Sequence, residues 1–230
     1  MGHILKLSFM VVTYGHAKDI KEILTKMTSL VDELVVVRDG PEIEDVLNVA
    51  KSFGAKVHAT EERRGFADPH RQLAREMCTG EWILWSDTDE RWEGDLLNLR
   101  NRIIRLDKKG FETIYIPRHN IYRGSHEVHP RIFKNNSTFR FNDIIHYVHE
   151  GMSKPIRIDN VWIKHYDIHD AKTPDGKYVY LDYMIEKMKR YKKAQAENRK
   201  KYAGNPYILN REGSNYNYDK IIENLERERV

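Results

Sequence analysis

The sequence has 230 residues and contains a single cysteine, Cys78. One thiol excludes an internal disulfide framework and suits a reducing compartment. No apolar run approaches the roughly 20 residues that a membrane-spanning helix needs. The chain enters a strand-like pattern at Ile4 to Thr13, so we expect no signal peptide. These absences together predict a cytoplasmic protein.

A strong excess of charge of one sign is also lacking. The 39 Lys and Arg residues stand against 35 Asp and Glu, a formal net charge of +4. This mildly basic balance suits a phosphate-bearing ligand or an anionic surface but does not demand nucleic acid. Hydrophobic residues make up 40% of the chain, which excludes a disordered composition. Internal repeats and low-complexity linkers are absent, and we expect one domain over residues 1–230.

Strand and helix patterns alternate strictly over the first 90 residues, with short connections between them. The near-continuous apolar run Leu5 to Thr13 is typical of a buried parallel strand. The later predicted elements are helices over Lys18–Leu30, Glu42–Phe53 and from Pro69 to Met77, and strands over Glu33–Val37, Ala55–Ala59 and Trp82–Trp85. This alternation predicts a parallel sheet with helices on both faces.

The pattern changes after Glu90. The predicted elements there are a helix over Leu96–Leu106, strands over Thr113–Pro117, His119–Arg123, Val128–Phe133 and Ile156–His165, a long basic helix over Lys177–Tyr202, and a short final helix from Tyr218. We expect this shift in composition to mark a change of subdomain within one fold.

Three carboxylates, Asp87, Asp89 and Glu90, directly follow the apolar strand Trp82–Trp85. Burying them together without a countercharge is costly. They are therefore either solvated at a helix start, which acids favour, or neutralised by a cation. Oxygen ligands suit Mg²⁺ or Mn²⁺. Because ligands of parallel sheets bind beyond the carboxyl ends of the strands, this edge of the sheet is predicted to carry a site.

Four motifs in order resemble family 2 glycosyltransferases of the GT-A fold. The matching segments are Met10–Tyr14, Val35–Gly40, Gly65–Ala67 and Gly80–Glu90. Arg131–Asn135 and Val148–Gly151 are similar to the acceptor-side pattern of lipopolysaccharide-core-type members. The resemblance implies an α/β fold with a Rossmann-like, mostly parallel central sheet flanked by helices. In it, residues 1–92 form the nucleotide-sugar-binding half, 93–170 the acceptor side and 171–230 a helical extension.

The resemblance implies transfer of a sugar from a nucleoside-diphosphate-sugar to a hydroxyl of a glycan, lipid-linked or small-molecule acceptor, with inversion. Asp39 would bind the base, Asp87 the sugar or ribose, and Asp89 a divalent Mn²⁺ or Mg²⁺ on the diphosphate. Such a cation would neutralise the negative charge that develops on the leaving diphosphate. The full set of implied nucleotide-sugar contacts is Thr13, Tyr14, Asp39, Arg63, Arg71 and Asp87, with Arg64 as a further candidate cation.

Two residues depart from the family pattern. Arg38 stands where an acid is usual before Asp39, and Gly15 stands where asparagine is usual, with His16 after it. The first departure bears on the base. A UDP-sugar is expected from the resemblance, and guanine, as in a GDP-sugar, or thymine is the alternative.

Inverting transfer needs a base that takes the proton of the acceptor hydroxyl. Glu150 is the predicted base, with Asp143 and Glu90 as competitors, and Asp87 is predicted to act beside it in catalysis. His165 is predicted to be a late metal ligand, as in GT-A relatives that recruit a C-terminal histidine. The alternative is a histidine that is only hydrogen-bonded within the fold.

The basic stretch Lys187 to Lys201 has two interpretations: a solvated helix face, or a surface for an anionic membrane or a phosphorylated acceptor. The second would place the protein peripherally at the inner face of the membrane.

Two other functions stay open. A nucleotidyltransferase on a similar sheet would be expected to carry a glycine-rich, basic loop after the first strand, where Thr13–His16 has none. A non-catalytic nucleic-acid-binding module would leave the acid cluster unexplained, and no nucleic-acid partner is expected.

Overall fold

The computed structural model of the chain describes residues 5–13, 17–42, 44–61, 68–136, 138–141, 151, 153–166, 181–201 and 217–227. The strands are β1 Leu7–Thr13, β2 Glu33–Arg38, β3 Lys56–Ala59, β4 Trp82–Asp87, β5 Glu90–Gly94, β6 Thr113–Asn120, β7 His126–Lys134, β8 Pro155–Arg157 and β9 Val161–His165. The helices are α1 Ala17–Met27, α2 Glu44–Ser52, α3 Asp68–Met77, α4 Leu99–Lys108, α5 Leu181–Lys201 and α6 Tyr218–Arg227.

Strand β1 lies at the centre of the N-terminal half, hydrogen-bonded in parallel to β2 on one side and β4 on the other. All seven of its residues are buried. Strand β3 extends this half beyond β2. The continuous apolar runs form strands because helices cover both faces: α1, α2 and α4 contribute to one buried cluster and α3 to the other. The predicted succession of parallel strands and helices is confirmed.

The second half continues the same sheet. Its order is β3-β2-β1-β4-β7-β6-β9-β5, and β8 pairs with β6 beside β9. Strand β7 runs antiparallel to β4 and joins the two halves. Five of the eight pairings among the described strands are parallel. The mostly parallel α/β sheet with flanking helices is therefore confirmed.

Several boundaries differ from the sequence-based expectation. Glu90 begins strand β5 rather than a helix, because the segment pairs antiparallel with β9. The next helix accordingly begins at Leu99 instead of Leu96. The single strand expected over Ile156–His165 is two strands, interrupted by a bend at Asp159 and Asn160.

Helices α5 and α6 pack against each other. Met184, Ile185 and Leu225 form a small buried cluster between them. Around it, Lys189 pairs with Glu226 at 3.4 Å, and Lys192 pairs with Asp219. None of the helices in the described part of the chain combines the length and the apolar character that crossing a bilayer requires.

Candidate functional site

The strands β1, β2 and β4 end at the same edge of the sheet. The register places Thr13 beside Arg38 and Val12 beside Asp87. Asp39 follows β2 directly, and its backbone N–H donates to the Thr13 carbonyl oxygen at 2.7 Å. The structure therefore brings the predicted residues Thr13, Asp39 and Asp87 to one place.

The first turns of α3 connect the two acids on either side of β1. His70 Nε2 lies 2.9 Å from Asp39 Oδ1, and Arg71 Nη2 donates to Asp87 Oδ1 at 2.6 Å. Consecutive helical residues project about 100° apart, so His70 and Arg71 reach different strands. Arg71, expected to neutralise a diphosphate, is held by a carboxylate in this structure. Sequence reasoning missed His70.

Asp87 is surrounded by positive charge. Besides Arg71, Arg131 Nη2 lies 3.5 Å from Asp87 Oδ2. Burial by itself would raise the pKa of Asp87, but the guanidinium groups of Arg71, Arg131 and Arg118 outweigh it and hold the pKa well below its usual range. Asp87 is therefore an ionised hydrogen-bond acceptor across the whole physiological range.

Glu90 is fully buried and is the most heavily engaged acid of the trio. One oxygen, Oε2, accepts from Ser86 Oγ and from the Asp87 backbone N–H, each at 3.0 Å. The other, Oε1, pairs with Arg131 and lies 3.4 Å from Arg118 Nη1. Glu90 is thus neither a helix-start acid nor a candidate base. It is a buried structural carboxylate.

Arg131 joins this ion-pair cluster to the aromatic core. Its side chain is 1% exposed, and its guanidinium carbon lies 3.7 Å from the centroid of the Trp85 ring. Arg131 Nε and Nη1 have no hydrogen-bond partner in the described part of the chain. Trp85 is held in turn by its indole N–H, which donates to the Pro130 carbonyl at 2.8 Å.

Asp89 lies in the turn after β4. It faces His165, the last residue of β9. His165 Nε2 is 3.3 Å from Asp89 Oδ2, and the Tyr166 N–H donates to the Asp89 carbonyl at 2.8 Å. Asp89 Oδ1 is buried and has no hydrogen-bond partner among the described residues. Burial would lower the pKa of His165, but the hydrogen bond and charge of Asp89 raise it.

Asn120 fixes the hydrogen bonding of His165. Asn120 Oδ1 accepts from the backbone N–H groups of Tyr122 and Arg123 at 3.1 and 2.8 Å, so its Nδ2 faces His165 Nδ1 at 3.3 Å. With Nδ1 as an acceptor, a neutral imidazole carries its proton on Nε2 and donates to Asp89. His165 as a metal ligand stays a prediction, and the hydrogen-bonded alternative is the arrangement seen here.

The structure describes no cluster of three or more His, Cys, Asp or Glu side chains suited to a metal within the residues given above. Asp89 and His165 would therefore need further ligands from a diphosphate or water. Three predicted site residues, Tyr14, Arg63 and Glu150, lie outside the described residues, as do Arg64 and the competing acid Asp143.

Fold and residue placement together define an α/β protein whose candidate site lies across the carboxyl ends of parallel strands. The family model described as glycosyl transferase family 2 matches residues 8–157. This is more than half of the chain, and the chain belongs to that family.

Curated relatives match over a shorter stretch. An uncharacterized glycosyltransferase of Rickettsia typhi is 29% identical over 91 residues, which cover 40% of this chain and 30% of the relative. A counterpart in Rickettsia prowazekii is 28% identical with the same coverage. The matched region thus spans about a third of these relatives.

Solved structures share the fold at low identity. A crystal structure of Staphylococcus aureus TarS 1–349 superposes with a TM-score of 0.55 at 15% identity, covering 83% of this chain and 68% of TarS 1–349. The complex of TarS 1–349 with UDP-GlcNAc gives a TM-score of 0.55 at 16% identity, with 83% and 66% covered. These matches support the GT-A assignment of the sheet.

Proposed function

We propose that the chain transfers a sugar from a nucleoside-diphosphate-sugar to a hydroxyl group of an acceptor. The observation that carries this proposal is the meeting of Asp39, Asp87 and Asp89 at the carboxyl ends of β2 and β4, with α3 bound to the first two. Membership of glycosyl transferase family 2 supports it. The placement is the one expected for a ligand of a parallel sheet.

In the proposed donor complex, Thr13 and Asp39 line the base, and Asp87 accepts hydrogen bonds from the ribose or the sugar. Tyr14 and Arg63 complete the contacts. Arg71, which donates to Asp87 at 2.6 Å, is the proposed cation that would pair with a diphosphate oxygen instead. The TarS fold neighbour is a complex with UDP-GlcNAc, which supports a UDP-sugar. A GDP-sugar is the alternative.

Asp89 is the proposed holder of a divalent Mn²⁺ or Mg²⁺. A buried carboxylate oxygen without a hydrogen-bond donor is costly, and Asp89 Oδ1 is such an oxygen among the described residues. The bound ion would neutralise charge that develops on the leaving diphosphate. His165 fixes the other oxygen, Oδ2, and so orients Asp89; as a direct ligand it would first have to release this bond.

The same proposal includes inversion at the transferred sugar carbon and the identity of the catalytic base that deprotonates the acceptor hydroxyl. An inverting reaction needs one carboxylate on the acceptor side. Because Glu90 is fully buried and ion-paired, we do not propose it as the catalytic base. Glu150 remains the proposed catalytic base, with Asp143 as the alternative. The acceptor is a glycan, lipid-linked or small-molecule hydroxyl.

The basic helix α5 is the proposed contact with an anionic membrane surface. Lys189 and Lys192 form ion pairs with acids of α6, whereas Arg199 and Lys200 are exposed near the C-terminal end of α5. The wild type should bind vesicles that contain phosphatidylserine and should not bind neutral vesicles. Replacing both Arg199 and Lys200 by Ser should weaken the binding to the phosphatidylserine vesicles. Equal binding to both vesicle types would contradict this contact.

A thermal-shift panel of nucleoside diphosphates and their sugars, with and without Mn²⁺, tests the donor site. Binding raises stability by mass action. A ligand at a hundred times its Kd should raise the melting temperature by about 5–10 °C for a chain of this size. D89N should remove the Mn²⁺-dependent part of that shift.

The matched control is D159N, because Asp159 is an exposed acid paired with Arg157 on a turn. It should behave as the wild type. H165N separates the two roles of the histidine: loss of all metal dependence supports a ligand, and a partial loss supports a residue that orients Asp89. If no nucleoside diphosphate shifts the melting temperature with metal present, the proposed function is wrong.

A further inference from the structure

Arg91, the second residue of β5, binds the backbone of the turn that carries Asp89. Its Nη1 donates to the Thr88 carbonyl at 2.7 Å and to the Glu90 carbonyl at 3.1 Å. These two carbonyls flank Asp89 in the sequence. The carbonyl of Asp89 itself accepts from the Tyr166 N–H, just after β9, at 2.8 Å. The three successive backbone carbonyls of residues 88–90 are therefore all held by hydrogen bonds.

The other nitrogens of the same guanidinium group bind acids of α1. Arg91 Nε donates to Glu22 Oε2 at 2.7 Å, and Nη2 donates to Asp19 Oδ1 at 2.8 Å. The Arg91 side chain is 15% exposed, so water competes little for these bonds. Helix α1 begins at Ala17, shortly after Thr13 ends β1. Arg91 therefore links the turn after β4 to the helix that follows β1.

The geometry of an arginine suits this set of partners. A guanidinium group is a planar fork whose N–H donors point in several fixed directions, whereas the ammonium group of a lysine is a single point of charge. Only the fork can bond to two backbone carbonyls with one nitrogen and to two carboxylates with the others. The conformation of the turn thus depends on the shape of the Arg91 side chain as well as on its charge.

The turn presents one oxygen of Asp89. His165 Nε2 lies 3.3 Å from Oδ2, and Oδ1 is buried without a hydrogen-bond partner among the described residues. An acid whose backbone and second oxygen are already fixed loses little conformational freedom when it binds an ion, and this strengthens binding. Residues that orient a metal ligand therefore contribute to metal affinity without touching the metal.

We propose that Arg91 is a positioning residue for the metal-binding acid. It fixes the peptide groups on both sides of Asp89 and so maintains the orientation in which Oδ1 is available to a divalent cation. Arg91 itself binds neither the cation nor the donor. This inference rests on the proposed function, in which Asp89 holds Mn²⁺ or Mg²⁺.

The factor by which Mn²⁺ tightens nucleotide binding tests this role. Isothermal titration gives the Kd of UDP, or of GDP if only GDP binds, once in EDTA and once at a fixed concentration of MnCl₂. In R91M the ratio of the two Kd values should fall by about tenfold, the loss typical of removing a residue that orients a metal ligand. The Kd in EDTA should equal that of the wild type.

R91K separates the shape of the side chain from its charge. It keeps the positive charge near the turn but cannot bond to all the partners of Arg91 at once. The ratio should therefore fall in R91K nearly as far as in R91M. A wild-type ratio in R91K, beside a reduced ratio in R91M, would show that charge alone matters and would overturn the proposal.

Arg100 of α4 provides a matched control at the opposite edge of the sheet. Its Nη2 donates to the Leu30 carbonyl at 2.9 Å and its Nη1 to Asp32 Oδ2 at 3.1 Å, so it also joins a backbone carbonyl to an acid. Both partners lie just before β2. R100M should lower the melting temperature but keep the wild-type ratio of Kd values. An equal fall of the ratio in R100M and R91M would refute the proposal, because lost stability alone would then explain it.

The outcomes separate this inference from the proposed function. If R91M keeps the wild-type ratio, the role of Arg91 is refuted while the donor site stands. If the wild type binds the nucleotide equally well with and without Mn²⁺, this inference fails and nucleotide binding remains. If the wild type binds neither UDP nor GDP, the proposed function fails as well.

A further variant covers the case in which the Arg91 variants do not fold, which circular dichroism shows. D19N/E22Q leaves Arg91 in place and removes the charge of both its partners on α1. The ratio of Kd values should then fall by up to about fivefold, the effect expected for partly exposed ion pairs. An unchanged ratio in D19N/E22Q would refute the proposal.

Discussion

At the scale of single residues, the buried pair of Glu90 and Arg131 is the centre of the site's framework. Glu90 is fully buried and Arg131 is 1% exposed. Taking both charges out of water is costly, and only further hydrogen bonds and good geometry offset that cost. Ser86, the Asp87 N–H and Arg118 supply them to Glu90, and the Trp85 ring supplies a face to Arg131.

Removing one partner of this pair should therefore be severe. We expect R131M to lower the free energy of unfolding by about 3–5 kcal/mol, because the buried Glu90 would lose its closest countercharge. In the double variant R131M/E90Q, the loss of unfolding free energy should be smaller than the sum of the losses in the two single variants by about 1–3 kcal/mol. Urea unfolding followed by circular dichroism measures all three variants.

A control lies on the same strand. Lys134 pairs with Asp107 at 2.8 Å, but its side chain is 40% exposed. K134M should cost less than about 1 kcal/mol, as exposed pairs do. Equal losses of unfolding free energy in R131M and K134M would show that the buried pair contributes no more to stability than the exposed pair.

The residue types of this cluster were only partly predictable. The sequence left two alternatives for Asp87, Asp89 and Glu90, solvation at a helix start or neutralisation by a cation, and its local pattern did not indicate which basic residues would pair with them. Arg118 and Arg131 are 28 and 41 residues away from Glu90 and reach it only through the pairing of β6 and β7 with the rest of the sheet. Arg131 at least lay in a segment similar to the family's acceptor side. No signal marked Arg118.

At the scale of elements, Glu33 ties the start of β2 to its neighbours. It pairs with Lys56 of β3 at 2.6 Å and accepts from Ser8 of β1. It also accepts from the N–H and Oγ1 of Thr79, before β4, at 2.7 and 2.9 Å. Burial would raise the pKa of Glu33, but these partners outweigh it and lower the pKa from 4.5 to about 2.

The pH dependence of stability should report this junction. Since the pKa of Glu33 is lower in the folded chain, its contribution is complete above about pH 4.5 and is lost as the pH falls towards 2. At pH 7 it amounts to at most about 3 kcal/mol. The difference in unfolding free energy between wild type and E33Q, from urea titrations, should shrink by about half between pH 7 and pH 3.

E42Q is the control, because Glu42 and its partner Lys51 are both more than half exposed. Its difference from the wild type should stay small and constant over the same pH range. A difference for E33Q that does not change between pH 7 and pH 3 would contradict the assignment of the low pKa to Glu33.

The elements of the first half were predictable because both faces of β1, β2 and β4 are covered, and buried strands are continuously apolar. Strand β5 was not. It contains a single apolar side chain in ERWEG, Trp92, and it exists because β9 pairs with it from more than 60 residues away. An acid followed by polar residues favours a helix start locally, and the distant partner overrides that preference.

At the scale of the whole molecule, the site rests on the hydrophobic cluster beneath α3. This cluster contains Trp85, Phe133, Phe139 and Phe141, together with the only cysteine. Phe133 and Phe139 stack with ring centroids 3.6 Å apart, and Trp85 meets Phe141 edge-on at 5.3 Å. Because Trp85 also carries Arg131 on its face, loss of this packing would release the ion pairs around Asp87.

Cys78 makes the opening of this cluster measurable. Its thiol is buried and donates to the Ala74 carbonyl at 3.3 Å. Burial, and then the charge of Glu33, raise the pKa of Cys78 to about 12. In the folded chain at pH 8 we expect alkylation by iodoacetamide to be about a thousandfold slower than for an exposed thiol, because the thiolate is the reactive form.

The exposed reference is S52C in a C78A background, since Ser52 lies on the exposed end of α2. Urea should accelerate the reaction of Cys78 in step with the loss of the circular dichroism signal, while Cys at position 52 should react at nearly the same rate throughout. That coincidence would mean that the α3 cluster opens only when the whole sheet unfolds. Fast labelling of Cys78 at low urea, before the dichroism changes, would instead show that α3 and the site it anchors open as a separate unit.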